Sequence, residues 1–238
     1  MIRNTAPSWV QGLKAAWPIC AGYLAIGISF GIIARQSGFT VVQIGLMSVI
    51  VFAGSAQFIA VSMISSGASV IPVITATFFV NLRHVLMSST LSLHLKGTRK
   101  SLLSLFAYGM TDESFAVNFT RFSKGPWDIR SALTVNHAAN LFWIASTVAG
   151  GYIGHLVPKG AFGLDYALTA MFLSLLVLQL TSRIVALTAL VSGVLAVLFS
   201  LVLPGTWYVI LATMIAATLG VMLQGSLPAA GKKEGRRP

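Results

Sequence analysis

IVALTALVSGVLAVLFSLVLPGTWYVILATMIAATLGVMLQGSLPAAG, residues 184–231, runs for 48 residues without a charged side chain. A helix crosses about 30 Å of hydrocarbon in about 20 residues, so this stretch is too long for one crossing. Pro204-Gly205 divides it into two helices joined by a tight turn. Uncharged or nearly uncharged runs recur upstream: Ala15 to Ala34, Val41 to Ile64, a run from Ser69 that meets Arg83 and His84 midway, Ser101 to Phe122, Ser131 to Leu156, and Tyr166 to Ser182. The chain thus has eight apolar segments and reads as an all-α polytopic membrane protein. Residues 1–14 form an N-terminal lead, 15–227 a single transmembrane domain and 228–238 a basic tail.

Composition agrees with this reading. Of 238 residues, 56% are hydrophobic and 9% charged, with a mean hydropathy of +0.85, whereas soluble domains carry about 25% charge. That apolar surplus exceeds what one globular core hides, so the remainder faces lipid. Sixteen Lys and Arg against five Asp and Glu give a net charge of +11. The basic residues sit between apolar runs, where cytoplasmic loops face anionic lipid, so they do not indicate nucleic acid. A single cysteine, Cys20, excludes a disulfide framework or a thiolate metal site.

Charge also bears on topology. If all eight segments cross, the loop with Lys96, Arg99 and Lys100 and the loop with Arg121, Lys124 and Arg130 fall on opposite faces, against the positive-inside rule. If the second and fourth segments are broken or re-entrant, around residues 52–60 and 108–117, both loops lie inside with the two termini and six segments cross. Those two segments contain Gly54-Ser55-Ala56-Gln57 and Gly109-Met110-Thr111-Asp112-Glu113. Irregular backbone at membrane depth is tolerated where protein or a cavity surrounds it. An internal echo accompanies the pattern: Phe52-Ala53-Gly54-Ser55-Ala56-Gln57-Phe58 followed by Val80-Asn81 matches Tyr108 to Phe115 followed by Val135-Asn136. An inverted repeat with a site between its halves is the arrangement this implies.

Ionisable groups at membrane depth cost at least about 2.5–3.5 kcal/mol and mark function by default. Here they are Arg83, His84, Asp112 and Glu113. A carboxylate there binds a substrate ammonium or a proton, and the guanidinium fork of Arg83 suits a carboxylate; the competing reading is an ion pair that docks two segments. Neighbours on a helix point about 100° apart, so one acid serves the site, with Asp112 preferred for its Gly-rich flank. Ser55, Gln57, Asn81 and Thr111 complete the candidate set. For Asn136, His137 and Asn140, helix-to-helix hydrogen bonding competes with binding. Gly150-Gly151 with Gly154 reads as close helix packing. No His-Glu-x-x-His or Gly-Lys-Ser/Thr motif is present, and neither an enzyme nor a cofactor is expected.

The motifs at 52–58, Asn-Leu-Arg-His-Val-Leu-Met-Ser at 81–88 and Tyr-Gly-Met-Thr-Asp-Glu-Ser-Phe-Ala-Val at 108–117 resemble the AzlC-type, YgaZ-like large subunit of branched-chain amino acid exporters. The similarity runs from about Lys14 to Gln224. It implies export of leucine, isoleucine, valine or analogues across a bacterial cytoplasmic membrane, together with a small AzlD-type membrane subunit; the intramembrane acids and the lack of a phosphate-binding motif add the expectation of a proton-coupled secondary transporter. A zwitterionic substrate needs an apolar pocket besides its charged loci, and Phe52, Phe58, Met87 and Phe115 are the candidate walls, with ordinary packing the competing reading. The alternatives are a permease for another small polar solute and a non-transporting membrane assembly subunit.

Overall fold

The computed structural model describes residues 6–158, 182–203 and 207–226, with isolated positions between 166 and 180. Among these there are nine helices and no strand: α1 Ser8–Gln36, α2 Val41–Ile50, α3 Gly54–Ser65, α4 Val70–Ser92, α5 Lys100–Tyr108, α6 Asp112–Lys124, α7 Ile129–Ile153, α8 Arg183–Ser200 and α9 Trp207–Ser226. Helices α1, α4 and α8 are long and apolar enough to cross a membrane. The expected segment at Tyr166 to Ser182 lies largely outside the described residues, as do Pro204-Gly205 and the basic tail. The helices on either side of residues 204–206 do end and begin there. The chain divides into two compact units, Met1–Ala170 and Met171–Pro238.

In the first unit, α1 and α7 lie side by side and run parallel. Ser8 donates to Asp128 at the start of α7 (2.7 Å), Ser146 donates to the Tyr23 carbonyl (3.0 Å) and Gln36 donates to the Val157 carbonyl (2.9 Å), so the register advances together along both helices. Small residues permit this approach. A Cβ on Gly31 would collide with the backbone of Thr147 and Gly151, and one on Gly150 with the backbone of Ile28. Helices in lipid gain little from burying apolar surface against each other, so backbone proximity and van der Waals contact hold such pairs. The Gly150-Gly151 reading from the sequence is met. Asp128 caps α7 by accepting from the Ser131 amide (2.8 Å). Partial burial pushes its carboxyl up, but the hydrogen bonds from Ser131 and Ser8 outweigh this and hold it below the ordinary carboxylate range.

Helix α4 runs the opposite way. Leu91 and Leu95, at and just beyond its C-terminal end, pack with Phe106, Met110 and Ala132 near the start of α7. Arg83 and His84 do not interrupt α4, which is continuous through both.

The second and fourth apolar segments are both broken, and each turns back about midway along α7. Helix α2 starts beside the far end of α7, where Ile44 packs on Gly151, and descends along it: Ser48 bonds Thr147 (2.8 Å), and Gly54, past the break, meets the Trp143 ring. At the break Phe52 takes φ 31°, in the left-handed region that disfavours a bulky side chain. Helix α3 then returns towards the start of α4, because Ser55 meets Arg83 in mid-α4 and the five chain steps from Ser65 to Val70 reach at most about 18 Å. Helices α5 and α6 form the mirror arrangement from the near end. Gly109, closing α5, lies against Asn136 of α7, and α6 runs back until Phe122 stacks on His94 (5.4 Å). The half-helices contain 10, 12, 9 and 13 residues, about 14–20 Å each at 1.5 Å per residue, so none spans 30 Å alone. Two hairpins therefore enter from opposite ends, the inverted arrangement the echo implied. The loops bearing Lys96 and Lys124 lie at the same end of the unit.

In the second unit, α8 and α9 pack together, with Gly220 against Thr188. Ala212, Ala216 and Gly220 form a buried small-residue stripe on α9, the spacing that lets helices approach in lipid.

Candidate functional site

Both hairpins present the N-terminus of their second half-helix beside the middle of α7, and the candidate residues collect there. Thr111 caps α6 through a reciprocal box with Ser114: the Ser114 amide donates to Thr111 Oγ1 (3.3 Å) and the Thr111 amide to Ser114 Oγ (2.9 Å). Asp112 and Glu113 occupy the first turn, where the helix dipole favours negative charge. They diverge as adjacent helical positions must. Asp112 Oδ2 pairs with Arg83 Nη1 of α4 (2.9 Å), and Glu113 Oε2 accepts from the Tyr23 hydroxyl of α1 (2.6 Å). Tyr23 also lies 2.8 Å from Thr111 Oγ1. Because a phenol has one proton to donate, that bond runs from Thr111 to Tyr23 when Tyr23 serves Glu113.

The N-terminus of α3 differs. Its capping position is Ala53, no side chain caps it, and its first turn holds no acid. The first bond is Gln57 amide to Ala53 carbonyl (2.9 Å), which leaves the Gly54, Ser55 and Ala56 amides without a partner among the described residues. Arg83 Nη2 donates to Ser55 Oγ (2.6 Å), so one guanidinium ties the first turns of α3 and α6. Arg83 and Asp112 retain side-chain exposures of 29% and 28%, and Arg83 Nε is buried without a partner.

The structure brings Ser55, Arg83, Thr111, Asp112 and Glu113 into one cluster. Gln57 is different: it is fully buried, accepts from Trp143 Nε1 (2.8 Å) and donates to Ser48 Oγ (3.2 Å), so its amide is spent joining α3 to α7 and α2. Half-buried His84 forms no hydrogen bond to the cluster among the described residues, and half-buried Asn81 keeps its Oδ1 unpartnered. Asn136 serves helix packing, accepting from Asn118 (2.9 Å) and donating to the Phe106 carbonyl (2.8 Å). Of the candidate pocket walls, Phe58 is buried against Phe30 (5.0 Å), Phe52 is buried at the hairpin break, and Met87 and Phe115 belong to the cluster around Leu91. All four are packing residues here.

Sequence reasoning passed over Tyr23, Ser48, Trp143 and Thr147. Tyr23 packs edge-on against Trp143 (5.2 Å), while Ser48 and Thr147 extend the Gln57 network. A Tyr or Trp inside an apolar run carries an O–H or N–H that must find a partner; that signal was present at both positions. No group of residues suited to a metal ion occurs among the described residues.

Comparison with known proteins gives a consistent set of likenesses. A family model described as AzlC protein matches residues 18–157. Branched-chain amino acid transport protein AzlC of Bacillus subtilis is 32% identical over 210 residues, covering 86% of this chain and 80% of that protein. Inner membrane protein YgaZ of Escherichia coli is 27% identical over 227 residues, 91% of each chain. An uncharacterized membrane protein of Archaeoglobus fulgidus is 31% identical over 194 residues, 80% of this chain and 84% of its own. No solved structure matches.

Proposed function

This chain belongs to the AzlC family, and from that premise we propose that it is the large membrane subunit of a secondary transporter exporting leucine, isoleucine, valine or close analogues from a bacterial cytoplasm. The observation that carries the reading is the Arg83–Asp112 pair at the meeting point of two half-helix N-termini. A zwitterionic amino acid inserts by exchange: its ammonium takes the place of the guanidinium at Asp112, and its carboxylate takes the place of the carboxylate at Arg83. Each charge keeps a partner throughout, which limits the desolvation cost of charges at this depth. Ser55 and Thr111 line the exchange site, Asn81 and His84 flank it on α4, and Gln57 holds α3 in register through Trp143.

Glu113 is the proton-coupling group in this reading. It faces α1 and Tyr23, away from Arg83, so substrate and proton occupy separate carboxylates on adjacent residues. Residues 15–227 act as one transporter domain, together with a small AzlD-type membrane subunit. The N-terminus, the 228–238 tail and the end carrying Lys96, Arg99, Lys100, Lys124 and Arg130 face the cytoplasm, in keeping with the positive-inside rule.

Counterflow of labelled leucine in proteoliposomes, with and without the small subunit, tests this. Expected is uptake that needs both chains and responds to an imposed pH gradient. Absence of counterflow for every branched-chain amino acid with both chains present would overturn the assignment, and indifference to the gradient would remove the proton step alone.

A further inference from the structure

We infer that the first turn of α3, together with Asn140 of α7, is a carboxylate subsite that gives the binding site its chemical polarity. The two half-helix N-termini are treated oppositely by the sequence. That of α6 is closed by the Thr111–Ser114 box and loaded with two carboxylates, so its positive end is already answered. That of α3 has an alanine at its cap and no acid, so the Gly54, Ser55 and Ala56 amides and the positive end of the helix are left for something else. Open amides at a helix N-terminus favour anions.

Two donors on the neighbouring helices α4 and α7 lack an acceptor. Arg83 Nη2 is fixed on Ser55 Oγ while its Nε is buried and unpartnered. Asn140 is 5% exposed, and its Nδ2 has no partner. It shares one face of α7 with Asn136 and Trp143, four residues before it and three after. Asn136 lies against Gly109 of the second hairpin, and the Trp143 ring against Gly54 at the start of α3, so Asn140 falls between the two hairpin breaks. Asn136 and Trp143 have their donors satisfied; Asn140 does not. A buried amide donor without an acceptor is costly and rare, and a carboxylate oxygen arriving beside the first turn of α3 supplies what is missing.

The consequence is a fixed orientation: the ligand's carboxylate lies towards α3 and Asn140, and its ammonium towards Asp112 on α6. The inference rests on the amino acid reading above but can fail separately from it. The test is ligand-induced thermal stabilisation of the purified full-length protein, with its small subunit, by L-leucine, by L-leucinamide, which lacks the carboxylate charge, and by 4-methylpentanoate, which lacks the ammonium. Wild-type protein is expected to respond to leucine and to 4-methylpentanoate but at least about tenfold more weakly to leucinamide, the discrimination of a site built for a charged acceptor. Asn140→Asp, which places a carboxylate in the subsite, is expected to abolish both responses, and Asn140→Ala to weaken both about tenfold. Equal responses to leucine and leucinamide, or undiminished 4-methylpentanoate binding in a folded Asn140→Asp protein, would overturn the subsite while leaving transport untouched. Should the Asn140 variants not fold, the ligand series on wild type decides alone. A response to 4-methylpentanoate with none to any branched-chain amino acid would keep the subsite and overturn the substrate assignment; no response to any of the three overturns both.

Discussion

Replacing Arg83 by Met while also replacing Asp112 by Asn separates a transport role for this ion pair from a structural one. Breaking a fully buried pair from one side costs about 3–5 kcal/mol, and an exposed pair is worth about 0–1 kcal/mol. At 29% and 28% exposure the Arg83–Asp112 pair lies between these limits, and we expect Arg83→Met alone to cost about 2 kcal/mol, with the lost hydrogen bond to Ser55 adding about 1 kcal/mol. Asp112→Asn alone strands the guanidinium and costs about 2 kcal/mol. The double variant removes both charges, so the single losses do not add, and its stability is expected to return to within about 1 kcal/mol of wild type. Transport follows a different rule, because a zwitterion then loses both charged partners. At about 1.5 kcal/mol for each charge-assisted hydrogen bond, counterflow at subsaturating leucine falls about a hundredfold. Detergent unfolding curves and leucine counterflow on the same preparations give both numbers. A double variant that recovers export together with stability would refute the exchange mechanism and make the pair an assembly bridge.

Four further outcomes follow from the same geometry. Tyr23→Phe deletes the donor to Glu113 and is expected to lower stability by about 1–3 kcal/mol and to change the pH dependence of counterflow, whereas an unaltered pH profile would disconnect Glu113 from coupling. Gly31→Val forces a side chain into the α7 backbone and is expected to abolish the folded peak in size-exclusion chromatography, while Gly22→Ala, which meets nothing within 4 Å, leaves it intact. The depressed Asp128 carboxyl contributes stability that is complete above its unfolded pKa of about 3.9 and is lost as pH falls through the lower folded value; Asp128→Asn keeps a cap yet flattens that acid limb, and Asp128→Ala costs about 0.5–1 kcal/mol at neutral pH, both read from melts across pH 3–7. In a Cys20→Ser background, Lys96→Cys and Lys124→Cys are expected to react with an impermeant thiol reagent from the same face of inverted and right-side-out vesicles.

The sequence carried the fold where charge and hydropathy act over whole segments. The conflict between the basic loops at 96–100 and 121–130 was enough to identify two segments that do not cross simply, and Gly54 and Gly109 marked where they break. Pairings across the fold were not legible. That Asp112 would meet Arg83 and Glu113 would meet Tyr23 depends on how α6 is rotated between α1 and α4, which no local pattern encodes. Gln57 reads as a cavity residue from its Gly-Ser-Ala setting, yet Trp143, 86 residues away, takes up its carbonyl. Phe52, Phe58, Met87 and Phe115 follow the packing alternative of their reading: two are buried and two pack on the cluster around Leu91.

The parallel α1–α7 pair also dictates the order in which the protein is put together. Its partners are about 120 residues apart, and the first hairpin rests on α7 through Ser48, Gly54 and Gln57. Until α7 is made, α2 and α3 are half-length pieces whose broken backbone lacks the helix it rests on. Lipid cannot satisfy those amides. We therefore expect the first hairpin to settle only once α7 is in place, and a nascent chain halted before residue 129 to be a substrate for membrane proteases.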